Sequence, residues 1–320
     1  MLPSNGLAHE ILLMRCTRLP GEGKVPIMIV YLNGSYVDAS TAKISLFDGG
    51  YLFGDGLFET LRCYGGRPFD LEGHLERLQR QLHLLGYSWM PDGETIRVII
   101  DKLTKENDLV EQDARVRMTI SRGAPVGDPL EVFDLEDRET TFSVTLVPLP
   151  KELPLWQREG ISVQIMKPFF ARGNFPQLKT LNYLPSLLAN RFAHASKCQE
   201  ALLVNRRGQI LEGASSNIFL ISEGTVCTPP LRLGLLAGRT RAIVLEAAKK
   251  LGHRCQELPF DRRDLFTAEE VFVTSSIKEV VPVVYIDGNR VASGRPGELT
   301  LDLQKQYRQD VRNALADNTG

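Results

Sequence analysis

No run of residues in this 320-residue chain is long and apolar enough to cross a bilayer as a helix, so no membrane partner is expected. An excess of one charge is also missing. Thirty-eight basic residues face 39 acidic ones, a formal net charge of −1, and nothing resembles the basic footprint of a nucleic-acid binder. A small-molecule partner is the better expectation. Cysteine is scarce: Cys16, Cys63, Cys198, Cys227 and Cys255 are odd in number and far apart. That pattern excludes a secreted disulfide framework, and no CxxC or Cys/His spacing suggests a metal. The N-terminus lacks a basic segment followed by an apolar core, so it does not read as a signal peptide. With reduced thiols, this points to a cytoplasmic protein. The five histidines are dispersed, no Ser/His/Asp order stands out, and each histidine reads first as a surface or core residue. "GEGK" lacks the glycine and Ser/Thr of a phosphate loop, and "GDGLFE" is not a full dinucleotide fingerprint. No repeat of solenoid period occurs.

What is present is an ordinary globular composition, 43% hydrophobic and 24% charged, in a chain long enough for about two domains. Residues 1–27 are polar and carry Pro and Gly, and Met28 immediately precedes the first credible strand; they are expected to be a poorly ordered leader. "IVYLNGSYVDA" reads as a hairpin with Asn33-Gly34 at its turn, and "LFETLRCYGGRPFDL" as another. Leu71, Leu75, Leu78, Leu82 and Leu85 recur at helical spacing, with Asp70 as the cap and Gly86 as the stop. "ETIRVIIDKLTKEND" is a second amphipathic helix, and "ARVRMTISRG" a strand. This mixture is α+β. The prolines of "LVPLPKELPLWQREG" suggest a crossing between domains, giving an N-terminal domain over 28–147, a linker over 148–158 and a C-terminal domain over 159–320. Beyond it come strand "ISVQIMKP", helix "LPSLLANRFAHASK", hairpin "EALLVNRRGQILEGASSNIFLIS", a glycine loop running into helix "RTRAIVLEAAKK", and strands with an Asp-Gly turn.

Three features carry chemistry. Lys179 stands in "QLKTLNYLPS" between Leu178 and Leu181, ahead of an apolar helix whose positive N-terminal dipole disfavours a cation. Glu212 ends an otherwise apolar strand, where a buried carboxylate is costly unless something positive meets it. Gly238 precedes a helix whose first amides, those of Arg239 and Thr240, make a ready anion site; the plainer reading is a helix capped by Thr240. A lysine able to form a Schiff base, a carboxylate for a ring nitrogen and a phosphate cup are the parts that pyridoxal phosphate requires.

The motifs "FGDGLFETLR", "HLERL", "KTLNYL", "EALLVNRRGQILEGASSNIFL", "GLLAGRTR" and "VFVTSSIKEVVPV" occur in the order found in the class IV aminotransferases, which the chain resembles from about residue 29 to about 300. That group includes branched-chain and D-amino-acid aminotransferases and aminodeoxychorismate lyases. The resemblance implies a fold-type IV enzyme with a smaller N-terminal α/β domain and a larger C-terminal domain built on a mixed, barrel-like sheet. It also implies pyridoxal 5′-phosphate as cofactor and a homodimer. Lys179 matches the lysine that holds the cofactor as an internal aldimine and then moves the substrate proton. Glu212 matches the partner of the pyridine nitrogen, and Arg77 an arginine on the phosphate. Leu236, Gly238, Arg239, Thr240, Ser275 and Ser276 fall around the phosphate cup. Ser215 and Ser216 flank the ring, and Tyr183 matches an active-site tyrosine of part of the family. Burial and neighbouring cations would let Lys179 titrate low enough to act as a base.

On the substrate side the residues are Phe58, Thr60, Arg115 and Arg117. Thr60 leans towards the lyases. "KTLNYLP" lacks their usual continuation, and "APVGDPLEVF" lacks both their glycine-arginine pattern and the Arg-x-His of D-amino-acid enzymes. Arg117 falls at a branched-chain position near the substrate carboxylate, and strand alternation puts Arg115 on the same face. The expectation is an aminotransferase moving an amino group between an amino acid and a 2-oxo acid such as 2-oxoglutarate. L-branched-chain substrates are placed ahead of D-amino acids, and the lyase is the alternative.

Overall fold

The computed structural model describes residues 28–126, 138–170 and 175–317. The proposed leader therefore lies outside the described residues, as does most of "APVGDPLEVF". The first sheet comprises β1 (Ile29–Leu32), β2 (Ser35–Asp38), β3 (Gly56–Tyr64), β4 (Arg67–Pro68), β5 (Ala114–Pro125) and β6 (Arg138–Pro148), in the order β2-β1-β6-β5-β3-β4. Each neighbouring pair is antiparallel, and β1–β2 and β3–β4 are the two hairpins read from the sequence. Helices Leu71–Leu84 and Gly93–Glu106 share a core with this sheet. Leu71, Leu75, Leu78 and Leu82 are all buried there, each stabilising the fold by about 1.5–3 kcal/mol. Asp70 precedes the first of these helices in the left-handed conformation and makes no side-chain cap. Its carboxylate instead receives the Arg239 guanidinium, Nε to Oδ2 at 2.7 Å and Nη2 to Oδ1 at 2.8 Å. A charge-assisted bidentate pair outcompetes a single capping bond.

The second sheet contains β7 (Ile161–Ile165), β8 (Glu200–Val204), β9 (Ile210–Gly213), β10 (Asn217–Ser222), β11 (Thr225–Thr228), β12 (Cys255–Glu257), β13 (Glu270–Ser275), β14 (Glu279–Ile286) and β15 (Asn289–Arg290). Its order is β12-β11-β10-β13-β14-β7-β8-β9, with β15 added on β14. The β11–β12, β14–β7 and β7–β8 pairs are parallel and the others antiparallel, so the curled sheet is mixed. Helices Arg239–Lys250 and Glu298–Asp317 cover one face through Val244, Ala247, Leu303 and Tyr307, and helix Leu184–Ala195 packs by β8.

Between the sheets, the stretch expected to be a linker holds a helix, Leu153–Glu159. Pro154 lies in its first turn, where the missing N–H costs nothing, and Leu153 and Gln157 are buried. Gln157 joins a buried junction centred on Glu279. That carboxylate accepts from Tyr64 Oη (2.8 Å) and Gln157 Nε2 (3.0 Å), and pairs with Arg62 (3.0 Å) and Arg308 (3.2 Å). Glu279 thus links β3 to the C-terminal helix, directly after the loop 276–278 that borders the cavity between the sheets.

Candidate active site

A cavity of about 370 Å³ opens between the sheets, and every residue named above as a site candidate lines it. Alternation on β3 sorts its residues. Phe58 and Thr60 face the cavity, whereas Glu59 is fully buried against helix Leu71–Leu84. Register places Thr60 opposite Arg117 and Arg62 opposite Arg115, which gathers the substrate-side candidates on one wall.

Lys179 is not at a helix start. The following helix begins at Leu184, and Lys179 is held in a strand-like segment against β3. Phe58 N donates to Lys179 O at 2.9 Å, Leu181 N to Gly56 O at 3.0 Å, and Lys179 N to Gln81 Oε1 at 2.9 Å. The backbone is therefore fixed on both sides while the side chain lines the cavity. Its Nζ lies 4.3 Å from the centroid of the Phe58 ring, and the Arg117 guanidinium carbon lies 3.8 Å from the same centroid. Tyr183 meets that ring edge-on at 5.5 Å and donates to Ala214 O at 2.9 Å. Burial lowers the proton affinity of Arg117; nearby Tyr183 opposes this and Arg115 adds to it.

At one end of the cavity the donors suit an anion. Gly238, rather than Thr240, occupies the cap position of helix Arg239–Lys250, and no side chain caps it. Thr240 lies inside the first turn and is buried. A Cβ on Gly238 would lie 1.8 Å from the side-chain Oδ1 of Asn217 on β10, so any larger residue here must displace that amide. The Arg239 side chain is committed to Asp70 across Gly73, which leaves its backbone amide for the cavity. Arg77 donates to Glu59 through Nε and Nη2 and to Ala237 O through Nη1 at 2.8 Å. Ser276 Oγ is 3.2 Å from His74 Nε2, and Ser275 Oγ accepts from Lys278 N at 3.1 Å. Thr274 Oγ1, also on the lining, is buried without a hydrogen-bond partner.

Glu212, on the same lining, is 2% exposed. It accepts from Leu236 N at 3.2 Å and Asn217 Nδ2 at 3.4 Å. A second buried carboxylate, Glu200 on β8, is not among the residues expected from the sequence and lies behind Ser215, Ser216 and Lys278 of the cavity lining. Lys278 donates to Glu200, and the hydroxyls of Ser215 (2.7 Å) and Ser216 (3.0 Å) donate to it as well. Burial opposes ionisation of Glu200, but Lys278 and the two serines hold its carboxyl below the usual range. Glu59, His74, Asn217 and Lys278 were missed too. A buried strand carboxylate flanked by apolar residues, as in "LFET" and "CQEALL", was the available signal.

The donor set fits pyridoxal phosphate. A helix start, an arginine and hydroxyls at one end suit a phosphate; a buried carboxylate suits a protonated ring nitrogen; and a lysine amine shares the same cavity. Such a pocket belongs to enzymes that work on amino groups through that cofactor. The family described as amino-transferase class IV matches residues 56–286, and the chain belongs to it. A Methanocaldococcus jannaschii protein carrying a provisional name as a branched-chain-amino-acid aminotransferase is 36% identical, over 89% of this chain and 96% of its own. Bacillus subtilis aminodeoxychorismate lyase is 34% identical over 91% of this chain and 98% of its own. Other matching relatives, from Listeria, are named D-alanine aminotransferases, at 28 to 31% identity. A T.th. branched-chain amino acid aminotransferase, solved with pyridoxamine 5′-phosphate, superposes with a TM-score of 0.79 at 25% identity, covering 91% of this chain and 96% of that one. The protein is thus a member of the class IV aminotransferase family with the fold-type IV architecture, a family that uses pyridoxal phosphate.

Proposed function

We propose that the enzyme transfers an amino group from an amino acid, L-branched-chain substrates first and D-amino acids second, to a 2-oxo acid such as 2-oxoglutarate. The observation that carries this reading is the wall of Arg115 and Arg117 on one strand face, beside apolar Phe58, Leu153 and Trp156, in the cavity that Lys179 enters. The guanidinium groups suit a carboxylate, and the apolar surface suits an aliphatic side chain. Arg77, the amides of Arg239 and Thr240, and the hydroxyls of Thr240 and Ser276 would hold the phosphate of the cofactor. Glu212 would keep a proton on its ring nitrogen. Lys179 would anchor it covalently and move the proton at the substrate Cα. Bound there, pyridoxal phosphate supplies the electron sink for the carbanion that proton removal creates. The test is a screen of amino donors in both enantiomers with 2-oxoglutarate, read as glutamate formed. No glutamate from any donor defeats the proposal.

Thr60 in the same wall, together with the B. subtilis relative, favours a second reading as aminodeoxychorismate lyase. Release of pyruvate and 4-aminobenzoate from aminodeoxychorismate, without glutamate in the screen, would select it.

The working unit in this reading is a homodimer of two cytoplasmic copies. Leu46, Phe47, Tyr51, Leu52 and Phe53 are exposed apolar side chains, as are Leu184 and Leu187, and Asn182 Nδ2 joins the two segments through Gly54 O at 3.4 Å. Light scattering on Leu52→Glu against the parent chain decides it: a monomeric parent rules the dimer out. Among the described residues no helix is long and apolar enough to cross a membrane.

A further inference from the structure

Glu59, His74 and Ser276 form a hydrogen-bonded chain from the core to the cavity. Glu59 Oε2 is 2.8 Å from His74 Nδ1, and His74 Nε2 is 3.2 Å from Ser276 Oγ. Both Glu59 and the imidazole are buried, at 0% and 2% exposure. Glu59 is ionised, because Arg77 donates to each of its oxygens at 2.7 Å. An ionised carboxylate only accepts, so Nδ1 must be the donor and carry hydrogen. The other nitrogen then has two states. In the neutral ring Nε2 is an acceptor, and the Ser276 hydroxyl hydrogen points back to it, turning oxygen lone pairs to the cavity. In the protonated ring Nε2 donates to Ser276 Oγ, and the hydroxyl hydrogen is released towards the cavity.

An anion at Ser276 discriminates between these states. Opposite a phosphate oxygen the neutral arrangement sets acceptor against acceptor. Rotating the hydroxyl away would leave Nε2 buried and unsatisfied, which is costly. The protonated arrangement satisfies every atom. The charged groups that face the ring are Glu59 from β3, 2.8 Å from Nδ1, and Arg77 on its own helix, 3.5 Å from Nδ1. The Asp70–Arg239 pair at the helix start is internally neutralised.

We propose that the Glu59–His74–Ser276 chain is a proton-linked positioning device, in which binding of a phosphate dianion beside Ser276 takes one proton from solvent onto His74 and turns the serine hydroxyl towards the anion. The inference rests on the reading of this end of the cavity as the cofactor's phosphate site. Ser276 is the contacting residue, and His74 acts through it. Proton uptake requires affinity to be highest at low pH and to fall as pH rises, by up to about tenfold per pH unit where one proton is linked.

The test is the dissociation constant of pyridoxal 5′-phosphate for the cofactor-stripped full chain, measured from about pH 5 to about pH 8, the range over which an ordinary imidazole changes charge. Binding is followed by fluorescence, with pyridoxal lacking the phosphate as reference. The phosphate's own ionisation is common to all variants and cancels in their comparison. His74→Gln places a permanent donor near the Nε2 position, so its pH slope should be shallower than that of the parent by up to one proton. Ser276→Ala should bind more weakly at low pH and approach the parent at high pH. Identical slopes in the parent, His74→Gln and Ser276→Ala overturn the inference while leaving the cofactor reading intact. A parent chain that binds no pyridoxal phosphate removes that reading, and the inference with it.

Discussion

Arg77 grips Glu59 with two parallel hydrogen bonds of 2.7 Å, from Nε to Oε1 and from Nη2 to Oε2, in a setting where the carboxylate is wholly buried. The guanidinium that faces the cavity is therefore aimed by a residue on the hidden side of β3. Burial works against ionisation of Glu59, but Arg77 and then His74 overcome it and hold the carboxyl below the ordinary range.

That relationship predicts a pH-dependent stability. A depressed folded-state pKa contributes stability above the unfolded value of about 4.3, lost as pH falls through the folded value. Glu59→Gln should cost about 3–5 kcal/mol near neutral pH, since it strands a buried arginine. Denaturant unfolding of both proteins from neutral to acid conditions should show the difference shrinking as the pH drops below the unfolded value. A constant difference would contradict the assignment.

Lys179→Ala should abolish covalent attachment of pyridoxal phosphate and slow amino transfer by about 10⁴-fold, the upper range for a lost acid–base group. Absorbance before and after borohydride reports the attachment. A variant that is still yellow, still reducible and still active would place the chemistry on another amine, with Lys278 as the first suspect because it lines the same cavity.

Arg117→Ala should weaken use of carboxylate substrates by about tenfold to a hundredfold in kcat/KM, corresponding to one charge-assisted hydrogen bond of about 1.5–3 kcal/mol. Arg117→Lys keeps the charge but not the planar fork stacked 3.8 Å over Phe58, and should recover only part of the loss. Steady-state kinetics with a 2-oxo acid varied would separate the two. Unchanged kcat/KM in both variants would free this wall of a substrate role.

Gly238→Ala should damage cofactor binding more than fold. The new methyl would meet Asn217 Oδ1 at 1.8 Å, and Asn217 also donates to Leu236 O at 3.0 Å. Overpacking of this kind costs about 1–3 kcal/mol, little enough for the chain to remain folded. Thermal unfolding with and without pyridoxal phosphate should show a modest fall in the bare protein and a smaller rise on adding cofactor than the parent gives.

Short-range chemistry made much of this molecule readable in advance. Leucines at helical spacing defined Leu71–Leu84, Asn33-Gly34 and Asp287-Gly288 marked turns, and alternation put Arg115 and Arg117 on one face. These follow from backbone periodicity and turn geometry, which are local. Lys179, Glu212 and Gly238 stood out because each breaks the local pattern around it.

Only the tertiary structure decided which charges meet. Asp70 reads as a helix cap until Arg239, 169 residues away, claims it; Glu59 and His74 read as isolated residues until the β3–helix packing closes them around Arg77. The apolar flanks of Glu200 mark it as a buried strand carboxylate, but nothing local names its partner: Lys278 arrives from the loop between β13 and β14 to neutralise it. Periodicity determines the elements and their faces, but an ion pair depends on desolvation and distance, and those exist only once the two sheets have closed on the cavity.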